Sequence, residues 1–473
     1  MHNSALQDMI ENHPFDEIQV GDSAHLIRTL KNEDIQLFAA MSGDVNPAHV
    51  DPEYANSTQF HGIIAHGMWG GALISTVLGT EFPGPGTIYL GQSLRFLKPV
   101  HVGDTLDVRV TVATKNPSNF QVTLDCHCTD QHGADVITGS ALVLAPTTKV
   151  CRPRTAPMQV RMWDTTLRYR QLLALATGMP PITVAVVHPC SEEALRGVVE
   201  AADLKLINAI LIGPEARIRT IASSANLDLT NQRIIDTPHS HAAASLAVTM
   251  ARNGEVQALM RGSLHLDEIL AEVGDIRTGL RTERHLSHVS VLDVPSYSKS
   301  LLISDTAMNI EPDLDTKRDI VRNAIDLAHA IGIALPKVAI LAAVEEIDAK
   351  MRSTTDAAAL CKMVDRRQIC GAIVDGPLAF GNAISAQAAR EKGIASPVAG
   401  DADILIAPNL EAGNMLTKQL QYLADAQLAG LVMGARVPII VANRADGLHA
   451  QVASCALALL VVNAKRLNSA QGI

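Results

Sequence analysis

Aromatic side chains are scarce in this chain: seven Phe, five Tyr and two Trp among 473 residues, 3% in all. A large core must then be filled by Ala, Val, Ile and Leu, and an apolar content of 47% supplies them. Cysteine is also sparse, with seven residues and no CxxC pair, which argues against a disulfide framework and leaves reduced thiols as the simplest account. No basic tract occurs and the formal charge is −10, which argues against nucleic-acid binding through bulk phosphate neutralisation. Local arginines could still hold an anionic ligand. No apolar run approaches the roughly 20 residues that span a bilayer, so no membrane partner is expected. The N-terminal "MHNSALQDMIENHPFDE" shows neither a basic nor an apolar targeting region, and the expected location is the cytoplasm.

What is present falls into two textures. Residues 15–145 contain a Gly-bounded run, "HGMWGGALISTVLGT", apolar nearly all round and long enough for a buried helix. Four alternating stretches follow: "TIYLGQSLRFLKPV", "DTLDVRVTVATK", "NFQVTLDCHCTD" and "ADVITGSALVLAP". They read as antiparallel strands that wrap the helix. The proline-containing "APTTKVCRPRTAPMQV" then breaks the pattern as a linker. From about residue 180, apolar runs alternate with helical segments: "ITVAVVHP", "NAILIGP", "HVSVLDV", "SLLISDT", "KVAILAAVE", "GAIVDGP", "ADILIAP" and "VPIIVAN". Continuous apolar strands imply parallel sheets covered by helices on both faces. About 300 residues exceed what one core sustains. The expected organisation is therefore a first domain at 10–148, a linker at 149–162, and a region at 163–473 with a subdomain division near 300. Its last helix would return to the first subdomain.

Chemistry concentrates first at "SGDVNPAH". Asp44 and His49 in one bend could hold a water between them, take its proton and deliver a proton to a neighbouring carbon. Asn46 could fix one partner and Pro47 stiffens the bend. The plainer possibility is an Asx-type turn in which Asp44 and Asn46 serve only the local backbone. Downstream, "FHGIIAHGMWGGAL" sets glycines at the start of the presumed helix, where free N–H groups can bind an oxyanion.

Taken together, "FAAMSGDVNPAH", "IIAHGM" and "LRFLKPVHVGDTL" resemble the MaoC-like, R-specific enoyl-CoA hydratases of the hot-dog fold. The resemblance implies that Asp44 and His49 activate the water that adds across a trans-2-enoyl-CoA to give a (3R)-3-hydroxyacyl-CoA. It also implies that Gly67, with Met68 at the helix start, polarises the thioester oxygen, and that Asn46 and His66 contribute to substrate binding. His66 could equally pack beneath the helix start. Thioesterases share this fold, and free CoA without a 3-hydroxy product would mark that alternative.

The second half shows no GxGxxG after a strand and no P-loop. Its motifs "TPHSHAAASLAV", "LMRGSLHLDEIL", "GLRTERHLSHVSV", "DGPLAF", "SPVAGDADILIAPNLEAGNMLTKQL" and "GARVPIIVANRAD" look like the phosphate acetyl/butyryltransferase family. The resemblance implies an α/β fold and acyl transfer between coenzyme A and inorganic phosphate, with no tightly bound cofactor and no metal. It points to Asn443 and Arg444 as catalytic, and to Arg281, Gly376 and Asp446 as substrate-binding. Three positions depart from the family pattern: Asn443 replaces a serine, Gly381 an aspartate, and Ala450 the aspartate proposed as thiol base in acetyltransferase members. An alternative follows, in which this half binds CoA and assembles hydratase domains without catalysing transfer. Metal ligation is not expected at Cys126, His127 and Cys128, which fit a strand. Nor is it expected at His239, His241 and His265, which suit helix caps. A homo-oligomer is expected, because one short hot-dog domain cannot enclose an acyl chain.

Overall fold

The structure is a computed structural model that describes residues 9–155, 160, 166–441 and 447–471. The chain divides after residue 163 into two compact units.

In the first unit the strands are β1 (Met9–Glu11), β2 (Ser23–Thr29), β3 (Ile88–Phe96), β4 (Thr105–Asn116), β5 (Gln121–Thr129), β6 (Asp135–Leu144) and β7 (Cys151–Pro153). Five form an antiparallel sheet in the order β2-β4-β5-β6-β3, and β1 pairs separately with β7 inside the expected linker stretch. Alternation decides which face is buried. Leu106, Val108 and Val110 on β4, and Val122, Leu124, Cys126 and Cys128 on β5, are wholly enclosed. Against this face lies the helix Gly67–Thr76, extended by one wider turn to Glu81, contributing Trp69, Ile74, Val77 and Leu78. The sheet wraps this helix, which is the hot-dog arrangement. The two strand cysteines are core residues. Burial pushes their thiols up to about 11 for Cys126 and about 12 for Cys128, keeping both protonated. Strand β2 and the helix Asn32–Ser42 carried no clear signal, since β2 is a sheet edge with few enclosed positions.

In the second unit the strands are β8 (Ile182–Val187), β9 (Ile207–Gly213), β10 (Arg233–Asp236), β11 (Ala258–Arg261), β12 (Ser287–Asp293), β13 (Leu301–Ser304), β14 (Lys337–Leu341), β15 (Ile373–Leu378), β16 (Ile404–Ile406), β17 (Gln427–Met433) and β18 (Ile439–Ile440). They make one eleven-stranded sheet, ordered β10-β9-β8-β11-β18-β17-β12-β13-β16-β14-β15. Five strands from β10 to β18 are mutually parallel, as are the four from β13 to β15. Antiparallel β17 and β12 join the two blocks and reverse their sense. The parallel strands read from apolar runs are thus present, while their fusion into one sheet runs through β17, which gave no such signal. The carboxyl edge of the first block consequently shares a rim with the amino edge of the second.

The last helix, Gly447–Gln471, packs into the first block's core through residues such as Val452, Cys455 and Leu459. By length and hydropathy alone, Gly447–Leu467 could cross a membrane, contrary to the expectation from uninterrupted runs. Its window is 72% buried inside the unit, which identifies it as a core helix. It approaches the helix Glu192–Asp203 so closely that a Cβ at Gly197 would stand 1.9 Å from Gln451 Oε1.

A buried clasp closes the first unit. Asn12 is fully enclosed; its Nδ2 donates to Pro85 O at 2.8 Å and Thr148 O at 2.9 Å, and its Oδ1 accepts from Val150 N at 2.8 Å. Asn12→Ala should strand these buried main-chain groups. It is expected to cost about 3 kcal/mol, read as a lowered denaturation midpoint of the first unit.

Candidate functional sites

The bend Ser42–His49 is built from local hydrogen bonds. Gly43 ends the Asn32–Ser42 helix at φ +78°, the left-handed region, and donates to Ala39 O. Asn46 N donates to Asp44 Oδ1 at 3.2 Å, and Ala48 N donates to Asn46 Oδ1 at 3.1 Å. Asn46 thereby caps a single helical turn, Pro47–Val50, with Pro at its first position. His49 rides on that turn.

Two imidazoles are then fixed by main-chain carbonyls. His49 Nδ1 lies 2.9 Å from Ile64 O, and His66 Nε2 lies 2.9 Å from Asp44 O. A carbonyl can only accept, so each ring donates there. Nε2 of His49 and Nδ1 of His66 remain as lone pairs. His66 is 2% exposed, and its Nδ1 is buried with no hydrogen-bond partner among the described residues. The two rings stack with centroids 4.0 Å apart. His49 and His66 line a cavity of about 360 Å³, with Gly67, Trp69, Phe96 and Ile137. The helix Gly67–Thr76 starts here without a side-chain cap, leaving its first N–H groups for a ligand. A Cβ at Gly67 would meet the Phe96 ring at 3.3 Å. Met68, the next residue, is 56% exposed. The structure thus brings Asp44, Asn46, His49, His66 and Gly67 together, by turn and by carbonyl clasp. Chemically, the arrangement offers paired acceptors for a water beside donors for an oxyanion.

In the second unit, Asn443, Arg444 and Asp446 lie outside the described residues. The neighbouring geometry is defined. A cleft of about 380 Å³ is walled by Tyr169 and Leu172 of the helix Leu167–Ala176, by Val291 and Leu428 near the rim of β12 and β17, and by His449 and Ala450 at the start of the last helix. Arg168 Nη1 donates to Asp293 Oδ1 at 2.5 Å across one end, and Tyr169 and His449 approach ring to ring at 4.8 Å. Ala450, one of the three departures, therefore presents a methyl group to an apolar cleft.

A second feature lies at the carboxyl edge of the first block, where open α/β sheets bind ligands. His188 follows β8, Thr237 follows β10, and the helix Ser240–Arg252 begins alongside. His188 Nδ1 and Thr237 Oγ1 are buried with no hydrogen-bond partner among the described residues. Burial, reinforced by Arg217, pulls the His188 imidazole below its ordinary range. Neither residue was singled out by sequence reasoning. An unexplained polar residue directly after an apolar strand was the available signal. His239 Nδ1 accepts from Ala242 N at 3.2 Å and caps its helix, while His265 N donates to Glu268 Oε1 at 3.1 Å. Both histidines stand at helix starts.

Arg281 and Gly376 are not drawn into this region. Arg281 is exposed and follows Leu280, whose carbonyl accepts from Arg436 N at 3.0 Å near the amino end of β18. At Gly376, a Cβ would lie 2.7 Å from Ile340 O, so its glycine permits close approach of β15 to β14. Gly381 has open space around it.

Two family models match this chain: the MaoC like domain over residues 19–126 and the phosphate acetyl/butaryl transferase family over residues 239–459. A phosphate acetyltransferase of Rhizobium meliloti is 54% identical over 63% of this chain and 95% of its own length. Among solved structures, a branched-chain phosphotransacylase of Enterococcus faecalis is 29% identical over 59% of this chain and 99% of that chain, with a TM-score of 0.53. The R-hydratase PhaJ1 of Pseudomonas aeruginosa is 42% identical over 33% of this chain and 99% of that chain, with a TM-score of 0.32. The chain belongs to the phosphate acetyl/butyryltransferase family and carries a MaoC-like domain ahead of that region.

Proposed function

We propose that the chain is a bifunctional enzyme acting on coenzyme A thioesters, with a hydratase in residues 10–148 and an acyltransferase in 163–473. In the first, a water donates one hydrogen to His49 Nε2 and the other to the Asp44 carboxylate. Its oxygen adds to C3 of a trans-2-enoyl-CoA, and the proton taken from it is returned to C2, giving the (3R)-3-hydroxyacyl-CoA. Free N–H groups at Gly67 stabilise charge on the thioester oxygen. The observation that carries this reading is the fixed tautomer of His49, whose Nδ1–H is spent on Ile64 O and whose Nε2 is left as the base.

In the second half, the CoA thiol loses its proton and attacks the acyl carbon of an acyl phosphate. The acyl–oxygen bond breaks and inorganic phosphate leaves, with Arg444 neutralising it. The cleft beside Ala450 offers apolar surface from Leu172, Val291 and Leu428, which supports a short acyl group as ligand. The identity to a protein named phosphate acetyltransferase supports the same reaction. Ala450 also motivates the alternative of a CoA-binding module without turnover, because a methyl group cannot act as a thiol base. CoA and its thioesters serve as substrates in either case, and no resident cofactor is proposed. Homo-oligomers are proposed as well. Strand β3 is a sheet edge that exposes Ile88, Tyr89, Leu90 and Phe96, and a second copy could pair along it.

Asp44→Asn and His49→Ala should each lower hydration of crotonyl-CoA by about a thousandfold, followed by loss of the enoyl-thioester absorbance, with oligomer mass unchanged. Near-normal turnover in either variant sinks the pair. For the second half, acyl-phosphate-dependent acylation of CoA should occur in the wild type and fall at least about a hundredfold in Arg444→Ala. Wild-type protein that binds CoA but shows no turnover would establish the alternative.

A further inference from the structure

The hydratase centre holds more acceptors than one water can satisfy. Three Lewis-base atoms, one each from Asp44, His49 and His66, lie within 4.8 Å of one another. A water has two hydrogens, whereas these groups offer a carboxylate and two imidazole lone pairs. Of the two His66 nitrogens, Nδ1 is buried and has no hydrogen-bond partner among the described residues. Both rings already donate their N–H to main-chain carbonyls, His49 to Ile64 O and His66 to Asp44 O. That is the support a metal-bound histidine normally has, fixing the ring and making its free nitrogen a better ligand.

We propose that Asp44, His49 Nε2 and His66 Nδ1 form a binding site for one borderline divalent ion of the zinc type, and that its occupancy switches hydration off. Ligand bonds of roughly 2 Å to nitrogen and oxygen require the three atoms to draw together slightly. Asp44 sits on an exposed bend and His49 on a single helical turn, so the adjustment falls on the exposed side of the cluster rather than on buried His66. Two nitrogens and one oxygen favour zinc, cobalt or nickel over magnesium, which takes oxygen ligands. A bound ion takes the His49 lone pair and the Asp44 charge that the nucleophilic water requires. Hydration then stops for want of a proton acceptor. This consequence rests on the hydratase reading, but ion binding itself does not.

The test uses the full-length chain after chelator treatment. Calorimetric titration with zinc, and with magnesium as a control, is run on the wild type, Asp44→Asn and His66→Asn. Each variant should bind one zinc ion fewer per chain than the wild type, and magnesium should give no site-dependent difference. Asp44→Asn, an exposed position, guards against misfolding of the His66 variant. In parallel, zinc at the concentration that fills this site should lower crotonyl-CoA hydration at least about tenfold, an amount equal to about 1.4 kcal/mol of lost transition-state stabilisation, and chelator should restore it. Equal stoichiometry in all three proteins overturns the site, whatever the activity shows. Loss of one ion in the variants without zinc inhibition overturns the switch. A metal-free chain with no hydration at all removes the functional reading, while the difference in stoichiometry still decides the site.

Discussion

A core with few rings can be filled only by bringing backbones close together, and that constraint shapes both units. Aromatic side chains remove large apolar areas from water at a stroke. Here the same work falls to many small aliphatic contacts, which require short distances between elements. Between β12 and β17, a Cβ at Gly430 would stand 2.7 Å from His288 Nε2. The alanine-rich last helix lies close enough on its neighbours that Gly197 must also lack a side chain. Strands β12 and β17 and the last helix all border the cleft at Ala450.

The first unit shows how a turn and the Asp44–His49 pair become one object. Asp44 and Asn46 do serve local backbone, as a plain Asx turn would. That service sets the helical turn bearing His49, and the His66 clasp on Asp44 O ties the bend to the start of the buried helix. The turn is the mechanical part of the site. The two carbonyl contacts, His66 on Asp44 O and His49 on Ile64 O, spend one N–H of each ring on the backbone and leave the other nitrogen of each as a lone pair. That is why one geometry is proposed to suit both proton transfer and a borderline divalent cation.

In the second unit the reversal at β17 and β12 has a comparable role. It joins two parallel blocks so that the carboxyl edge of one meets the amino edge of the other, and the cleft lined by Tyr169, Val291 and Ala450 forms on that rim. A polar residue in place of Ala450 would change the character of that cleft directly.

The sequence by itself determined the elements whose burial is written into their own periodicity. These include the helix after His66, the strands from β3 to β6 and the apolar strands of the parallel blocks. It also marked Asp44, Asn46, His49 and Gly67, because turn and helix-start chemistry is local and carries its own residue types. Tertiary structure alone decided what depends on partners distant in sequence. Strand β2, an exposed edge, had too little alternation to be seen. Strand β17 could not be recognised as the point where the sheet reverses. Nothing in "DGPLAF" distinguished a glycine packed on Ile340 from one lining a pocket. His188 and Thr237 came to notice only as buried polar atoms, since burial is set by the surrounding chain. The unused lone pair of His66 was likewise invisible, because which nitrogen donates depends on a carbonyl twenty-two residues away.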